Sequence, residues 1–433
     1  MNALILDGSP AGDPTGGRIA AILAPLLAAK GYETEHVVLR DKTLGHCRGC
    51  FQCWLKTPGV CILDDDNREL SRKFIQSDLT IFLTPVMYGA YSPELKRMLD
   101  HLIANISPFF TRIDGETHHR MRYDRYPDVM ITGWLDQPDQ TQVGLFNHLA
   151  WRNTINFNGE KRSWGIVDRH ADDIALKSQV EALVRKLDSS SAHTGVELPR
   201  ITTETTATAP RKAVLLVGSP RMAKSTSASL GGYLLDQMAA QGVATETIQI
   251  YHAIHDERKH AAMLDAIDRA DLTLLAFPLY IDSLPAPVLS LMRSIEERRA
   301  GKARGAFAAI ANCGFIESSQ NESALGSCAA FAKAAGFRWM GSITIGGGEG
   351  LVHGRHLAEL GGPAIPYKKA LDSVAEALAA GKPVPEAARQ QLAKPFIPGW
   401  IYRFVGSRNW KKQARHNGAL DKIDDRPYQR VAG

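Results

Sequence analysis

The sequence predicts a doubly wound α/β fold that occurs twice in tandem along one chain. Two apolar runs, NALILDGSP and KAVLLVGSP, each end in Gly-Ser-Pro, at Gly8-Ser9-Pro10 and Gly218-Ser219-Pro220. A helical pattern follows each, RIAAILAPLLAAKG and SLGGYLLDQMAAQG, stopping at Gly31 and Gly242 as a C-terminal cap does. Alternating strands and helices with short connections make a parallel sheet covered on both faces.

The second strands are ETEHVVL and TETIQI, and the third, SDLTIFLTP and ADLTLLAFP, close at Pro85 and Pro278. The third strands and GAFAAIANC are near-continuous apolar runs, as burial of both sheet faces demands. The Gly-Ser-Pro turns lie 210 positions apart and the closing prolines 193, so the first copy carries 17 extra residues. A cysteine-bearing segment occupies that interval. The expected organisation is a first domain over 1–188, a Ser/Thr/Pro-rich linker over 189–211, a second domain over 212–384, and a tail over 385–433. Trp400, Tyr402, Phe404 and Trp410 are the tail's expected anchors.

At 433 residues, with 44% hydrophobic and 22% charged residues, the chain has the balance of a globular protein with more than one core. A net charge of +5 without a Lys/Arg stripe argues against nucleic acid. The N-terminus lacks the cationic start and apolar core of a signal peptide. No apolar stretch is long enough for a membrane span, and a cytoplasmic location is expected.

The second Gly-Ser-Pro turn continues as Arg221-Met222-Ala223-Lys224-Ser225-Thr226-Ser227 before its helix. A loop at the carboxyl end of the first strand is where an open α/β sheet binds ligands, and the helix start offers free N–H groups. Ser219, Ser225, Thr226 and Ser227 supply hydroxyls, and Arg221 and Lys224 supply charge. With no G-x-G-x-x-G, this favours a terminal phosphate, as in FMN, over a pyrophosphate. A helix cap needs one hydroxyl, so four exceed that role. The first loop is poorer: Ser9 remains, but Ala11 replaces the Arg and Asp13 stands where a phosphate would sit. Past the third strands, Pro85-Val86-Met87-Tyr88 and Pro278-Leu279-Tyr280-Ile281 abut these loops, where they serve either a flavin ring or ordinary packing.

Gly218-Ser219-Pro220-Arg221 with its Ser/Thr run, then Pro278-Leu279-Tyr280, resembles the NAD(P)H-dependent FMN reductase branch of the flavodoxin-like superfamily. In the first copy, CRGCFQCWLKTPGVCILDDD followed by TPVMYGAYSPELKRMLD resembles the iron–sulfur flavoproteins of that branch. The resemblance implies the strand order 2-1-3-4-5. It also implies FMN at Ser219–Ser227, at Pro278–Ile281, and at Asn312, Cys313 and Gly314, the end of the fourth strand. Ser9, Pro85 and Tyr88 are the matching positions of the first copy.

Cys47, Cys50, Cys53 and Cys61 are spaced C-x2-C-x2-C-x7-C. Three closely spaced thiolates can wrap one face of a [4Fe–4S] cubane, with the fourth arriving from a short loop. Zinc prefers two separated knuckles, and thiols without a ligand stay open as a third reading. Cys313 and Cys328 have no partner motif. His118-His119 reads as a surface loop reaching toward a ring, as ligands or as a ring-side proton source, and Gly346-Gly347-Gly348-Glu349-Gly350 as a phosphate cradle or, better, a backbone turn beside a flavin or partner.

These readings give an oxidoreductase in which FMN takes hydride from NAD(P)H and passes electrons to a quinone, flavin or redox protein. The alternative is an electron carrier with no nucleotide substrate of its own. A homo-oligomer is compatible with either, and no catalytic side chain is required.

Overall fold

The computed structural model describes residues 1–189, 195–204 and 208–430. The chain divides into two compact units, Met1–Leu198 with Arg403–Gly433, and Pro199–Tyr402. Parts of the expected linker, 190–194 and 205–207, lie outside the described residues.

In the first unit, strands β1 (Asn2–Asp7), β2 (Glu33–Val38), β3 (Leu79–Pro85), β6 (Asp128–Leu135) and β7 (Arg162–Asp168) form one parallel sheet, ordered β2-β1-β3-β6-β7. Between β3 and β6 the chain makes an antiparallel hairpin, β4 (Ile106–Ile113) and β5 (Glu116–Met121). The second unit repeats the sheet with β8 (Lys212–Val217), β9 (Ala244–Gln249), β10 (Leu272–Pro278), β11 (Ala306–Asn312) and β12 (Arg338–Ile345), ordered β12-β11-β10-β8-β9. Counting only the strands of each parallel sheet, both have the flavodoxin-like order 2-1-3-4-5.

Strand chemistry explains the layering. Ala213, Leu215 and Val217 of β8 pack against Leu230, Leu234, Leu371 and Val374 of helices Thr226–Ala239 and Ile365–Ala379. Val214 and Leu216, on the opposite face, are buried as well, so the strand reads as a continuous apolar run. In β1, Ala3 and Ile5 join Ile19 and Leu23 of helix Thr15–Ala28, while Leu4 and Leu6 are buried behind them. Gly31 and Gly242 end the first helix of each unit at φ +80° and +87°, where a Cβ is disfavoured. This places the N-terminus of each helix directly after the first strand's loop.

Two segments depart from expectation. His118-His119 is not a surface loop but lies in β5, and strand alternation sends the rings to opposite faces. His118 Nδ1 meets Asn156 Oδ1 at 3.0 Å, and the His119 ring packs 4.7 Å from Trp54. Burial, then the neighbouring His118, lowers the His119 pKa to about 4. The C-terminal segment, read as having no clean period, forms helices Glu386–Ala393 and Gly399–His416. Trp410 packs on Phe51 and Trp54, and the Tyr402 hydroxyl donates to the Gly314 carbonyl at 2.7 Å; Trp400 and Phe404 are exposed.

The turn after β3 is closed by reciprocal backbone bonds between Met87 and Ala90, with Tyr88 and Gly89 at positive φ. A Cβ on Gly89 would lie 2.2 Å from Leu145 Cβ on helix Gln140–Asn156, too close for side-chain rotation to relieve. Gly89→Ala is therefore expected to cost about 2–4 kcal/mol, read as a lowered urea midpoint with little change in slope.

Candidate functional site

The cysteine segment is folded by its own backbone demands. Phe51 adopts a left-handed conformation at φ 54° ahead of the short helix Gln52–Leu55, which carries Cys53. Gly59, at φ 84°, donates its N–H to the Cys53 carbonyl at 2.8 Å and turns the chain toward Cys61. The Asp65 carboxylate accepts from the N–H groups of Gly45 and Asn67, tying the two ends of the segment together. Arg68 Nε donates to the Cys61 carbonyl at 2.9 Å.

Cys47, Cys50, Cys53 and Cys61 thereby line one pocket, partly open to solvent, together with Phe51, His101 and Ile103. His101 Nε2 lies 2.9 Å from the Gly45 carbonyl, which makes Nε2–H the donor there and leaves Nδ1 to accept from the Cys61 thiol at 3.6 Å. Burial pushes the Cys47 thiol up to about 12 and also raises Cys53 and Cys61. These thiols are neutral until a positive centre offsets their burial. Among the described residues no three His, Cys, Asp or Glu groups converge on the point a single metal ion would occupy; the thiols stand on the pocket's walls.

In the second unit the phosphate-type loop is satisfied from within. Ser225 caps helix Thr226–Ala239, accepting from Ala228 N at 3.0 Å and donating to the Met222 carbonyl at 2.6 Å. Ser219 accepts from Arg221 N at 3.4 Å. Asn312, at the end of β11, donates to Ser227 Oγ at 2.9 Å and to the Phe277 carbonyl at 3.0 Å, while its own carbonyl accepts from Leu279 N at 2.8 Å. It thus joins this loop to the turn Pro278–Ile281, where Tyr280 and Ser283 exchange backbone bonds and Ile281 and Asp282 are held at φ 45° and 56°. A β-branched residue in that region is strained. Cys313 Sγ donates to the Phe315 carbonyl at 3.2 Å, and burial pushes its thiol up to about 12; Gly314 follows it beneath Tyr402.

A side chain from the Gly346–Gly350 turn, whose carboxylate has no role in the sequence reading, completes this loop. Glu349, in the Gly-rich turn and helix Gly348–Val352, places its carboxylate 2.6 Å from Arg221 Nη2 and 3.1 Å from Thr226 Oγ1. It stands in for an anionic oxygen at the start of a helix. Arg221 and Glu349 are 38% and 45% exposed, so the pair is open to displacement.

The first unit solves the same problem with locked carboxylates. Asp7, buried at the end of β1, accepts from Ser9 N at 2.8 Å and Ser9 Oγ at 2.6 Å, with His36 Nε2 at 3.2 Å. Asp13 accepts from Thr15 N and Oγ1, from Trp134 Nε1 at 2.9 Å, and pairs with Arg169 at 3.0 Å. Trp134 is fully buried, its indole reaching from β6 to this loop. Pro85 ends β3 and Tyr88 is buried in the turn beyond.

Residues 1–162 match the family model described as NADPH-dependent FMN reductase. That N-terminal segment is similar to the FMN reductase family. The chain is 35% identical over 102 residues to an iron–sulfur flavoprotein of Methanocaldococcus jannaschii, covering 23% of this chain and 51% of that protein. It is 26% identical over 98 residues to an iron–sulfur flavoprotein of Methanosarcina thermophila, covering 23% and 50%. The chain spans about half the length of the curated relatives it matches. Among solved structures, an NAD(P)H:quinone oxidoreductase from Methanothermobacter marburgensis aligns with a TM-score of 0.34 at 12% identity, over 44% of this chain and 98% of that one.

The FMN reductase match falls on the unit whose loop is the less suited to a phosphate: a phosphate dianion there would face Asp7 and Asp13. Burial raises both carboxyls, but bonds from His36 and Ser9 to Asp7, and from Thr15, Trp134 and Arg169 to Asp13, more than offset it and hold both below the ordinary 3.8. Depressed folded-state values contribute stability above pH 4 that is lost as pH falls through them. Asp13→Asn is expected to lower the stability of the chain at pH 7 and to flatten its decline between about pH 4 and 2, measured by urea melts across that range.

Proposed function

We propose that the chain is an FMN-dependent NAD(P)H oxidoreductase that passes electrons through an iron–sulfur cluster in the cysteine pocket to a quinone, flavin or protein acceptor. The observation that carries this reading is the convergence of all four thiols of C-x2-C-x2-C-x7-C on one pocket, inside the unit that matches the FMN reductase family. Thiols spread over the walls of such a pocket suit a body of several atoms better than a single ion. The names of the curated relatives support the same assignment.

Bound FMN would supply hydride acceptance and one-electron release, and the cluster single-electron transfer. For the phosphate, the second unit's loop is the better fit, because its Arg221 and Thr226 already hold the Glu349 carboxylate. Ser219 and Ser227 stand beside them as further hydroxyls. The strained turn at Ile281 and Asp282, tied to the loop by Asn312, would present backbone groups to the ring. The first unit's carboxylate-filled loop supports no flavin there, so one FMN per chain is expected.

Protein purified without oxygen should carry one FMN and about four irons with matching sulfide, and NADPH should bleach the flavin within the turnover time. Two flavins per chain, or reduction by a redox protein but never by a nicotinamide, would replace this reading with the alternatives. Glu349→Ala should tighten FMN binding by about tenfold, the worth of one charge-assisted bond, and Arg221→Ala should weaken it, both followed by quenching of flavin fluorescence.

A further inference from the structure

Arg122 lies beside the cysteine pocket and belongs to no motif. It is 3% exposed, and its guanidinium is bound entirely by carbonyls: Nε to Ile106 at 3.3 Å, Nη1 to Ile423 at 3.1 Å and to Asp425 at 2.7 Å. Its Nη2 is buried without a hydrogen-bond partner. Ile106 and Ile423 are themselves packed in the apolar cluster around Cys53, with Trp54, Phe109, Trp410 and Ala414. Carbonyls solvate a guanidinium but carry no net charge. A buried cation without an anion is costly, by several kcal/mol for an isolated ion.

Two of those carbonyls come from the end of the chain, more than 300 residues away in sequence. There the segment after helix Gly399–His416 folds against the cysteine loop. A Cβ on Gly59 would strike the Pro427 ring at 2.5 Å, Tyr428 is buried, Arg426 pairs with Asp124 at 2.6 Å, and Arg430 pairs with Asp78 at 2.8 Å. The charged neighbour this segment brings is Asp424, which is exposed and therefore screened. The other titratable groups acting on Arg122 are Tyr123, Cys53 and Tyr126, of which Cys53 belongs to the cysteine pocket.

We infer that Arg122 is a positioning residue that supplies the counter-charge for an anionic, thiolate-bound cluster, and that the C-terminal strap Ala414–Arg430 holds it there. The inference rests on the cluster reading of the pocket. Four thiolates around a cluster leave net negative charge, and a fixed buried cation both retains that charge and raises the reduction potential. Without the cluster, the cation has no buried partner and strains the strap that binds it.

The test uses the full chain reconstituted anaerobically with ferrous iron and sulfide. Arg122→Gln keeps some carbonyl bonding but removes the charge, whereas Arg122→Lys keeps the charge. The Gln variant should lose iron to a ferrous chelator about tenfold faster than wild type, with a more negative midpoint potential; Lys should restore most of the potential. A Gln variant with wild-type release and potential overturns the inference. In unaltered protein, stripping the iron should speed hydrogen exchange over residues 414–430, and unchanged exchange overturns it even where the Gln variant does not fold. Wild-type protein that takes up no iron overturns the cluster reading, and this inference with it.

Discussion

A helix that starts directly after the first strand points its unpaired N–H groups and its positive dipole end at one spot, and that spot favours an oxyanion. Both units inherit this demand from the fold, since each runs from strand through Gly-Ser-Pro into a helix. They meet it differently. In the first unit Asp7 and Asp13 sit within the loop's own sequence, one buried at the strand end and the other pinned by Thr15, Trp134 and Arg169. In the second, Glu349 arrives from beyond the fifth strand and rests on a surface arginine. An anion built into the loop cannot leave, while an exposed side chain from a distant turn can. This difference decides which unit can exchange its internal carboxylate for a phosphate.

The cysteine pocket poses the opposite electrostatic problem. Burial raises the Cys47, Cys53 and Cys61 thiols, yet ligation needs thiolates, so under the proposed cluster reading the pocket would gain positive charge from iron and lose protons on loading. Arg122 and His101 are the groups the fold places against that change, one from before β6 and one from the turn before β4. The His101 ring is held by the Gly45 carbonyl, and its Nδ1 is the acceptor beside Cys61. Each orients or compensates a ligand without being one, which is how outer partners commonly act on metal sites.

What the sequence revealed follows from how local each signal is. The duplicated strand–turn–helix, the sheet order and the cysteine spacing depend on residues within one or two turns of each other, and all stand out as pattern. Glu349 did not, because its role depends on a turn 128 residues past Arg221 folding back over the loop. Arg122 did not, because an arginine in RMRYDRYPD looks like surface charge until carbonyls from the chain's end surround it. His118 and His119 read as a loop because hydrophobic alternation is weak in a strand whose buried residues are the adjacent Thr117 and His118. The helix Gly399–His416 has no clean apolar period because few of its side chains are buried: Ala414 is, while Trp400, Phe404 and Val405 are exposed.

Duplication explains why one chain carries both arrangements. With two copies of the strand–loop–helix demand, one can be met permanently by aspartates while the other remains exchangeable. The copy whose loop is filled by aspartates is also the one with 17 extra residues before its third strand, the interval that carries the four cysteines of the pocket. A flavin phosphate in that loop would need Asp7 and Asp13 to change, and those residues hold Ser9, Thr15 and Trp134 in place. Retaining the aspartates therefore fixes the end of β1 without any ligand. On the proposed reading, the first unit's loop is a structural element and its specialised chemistry lies in the cysteines.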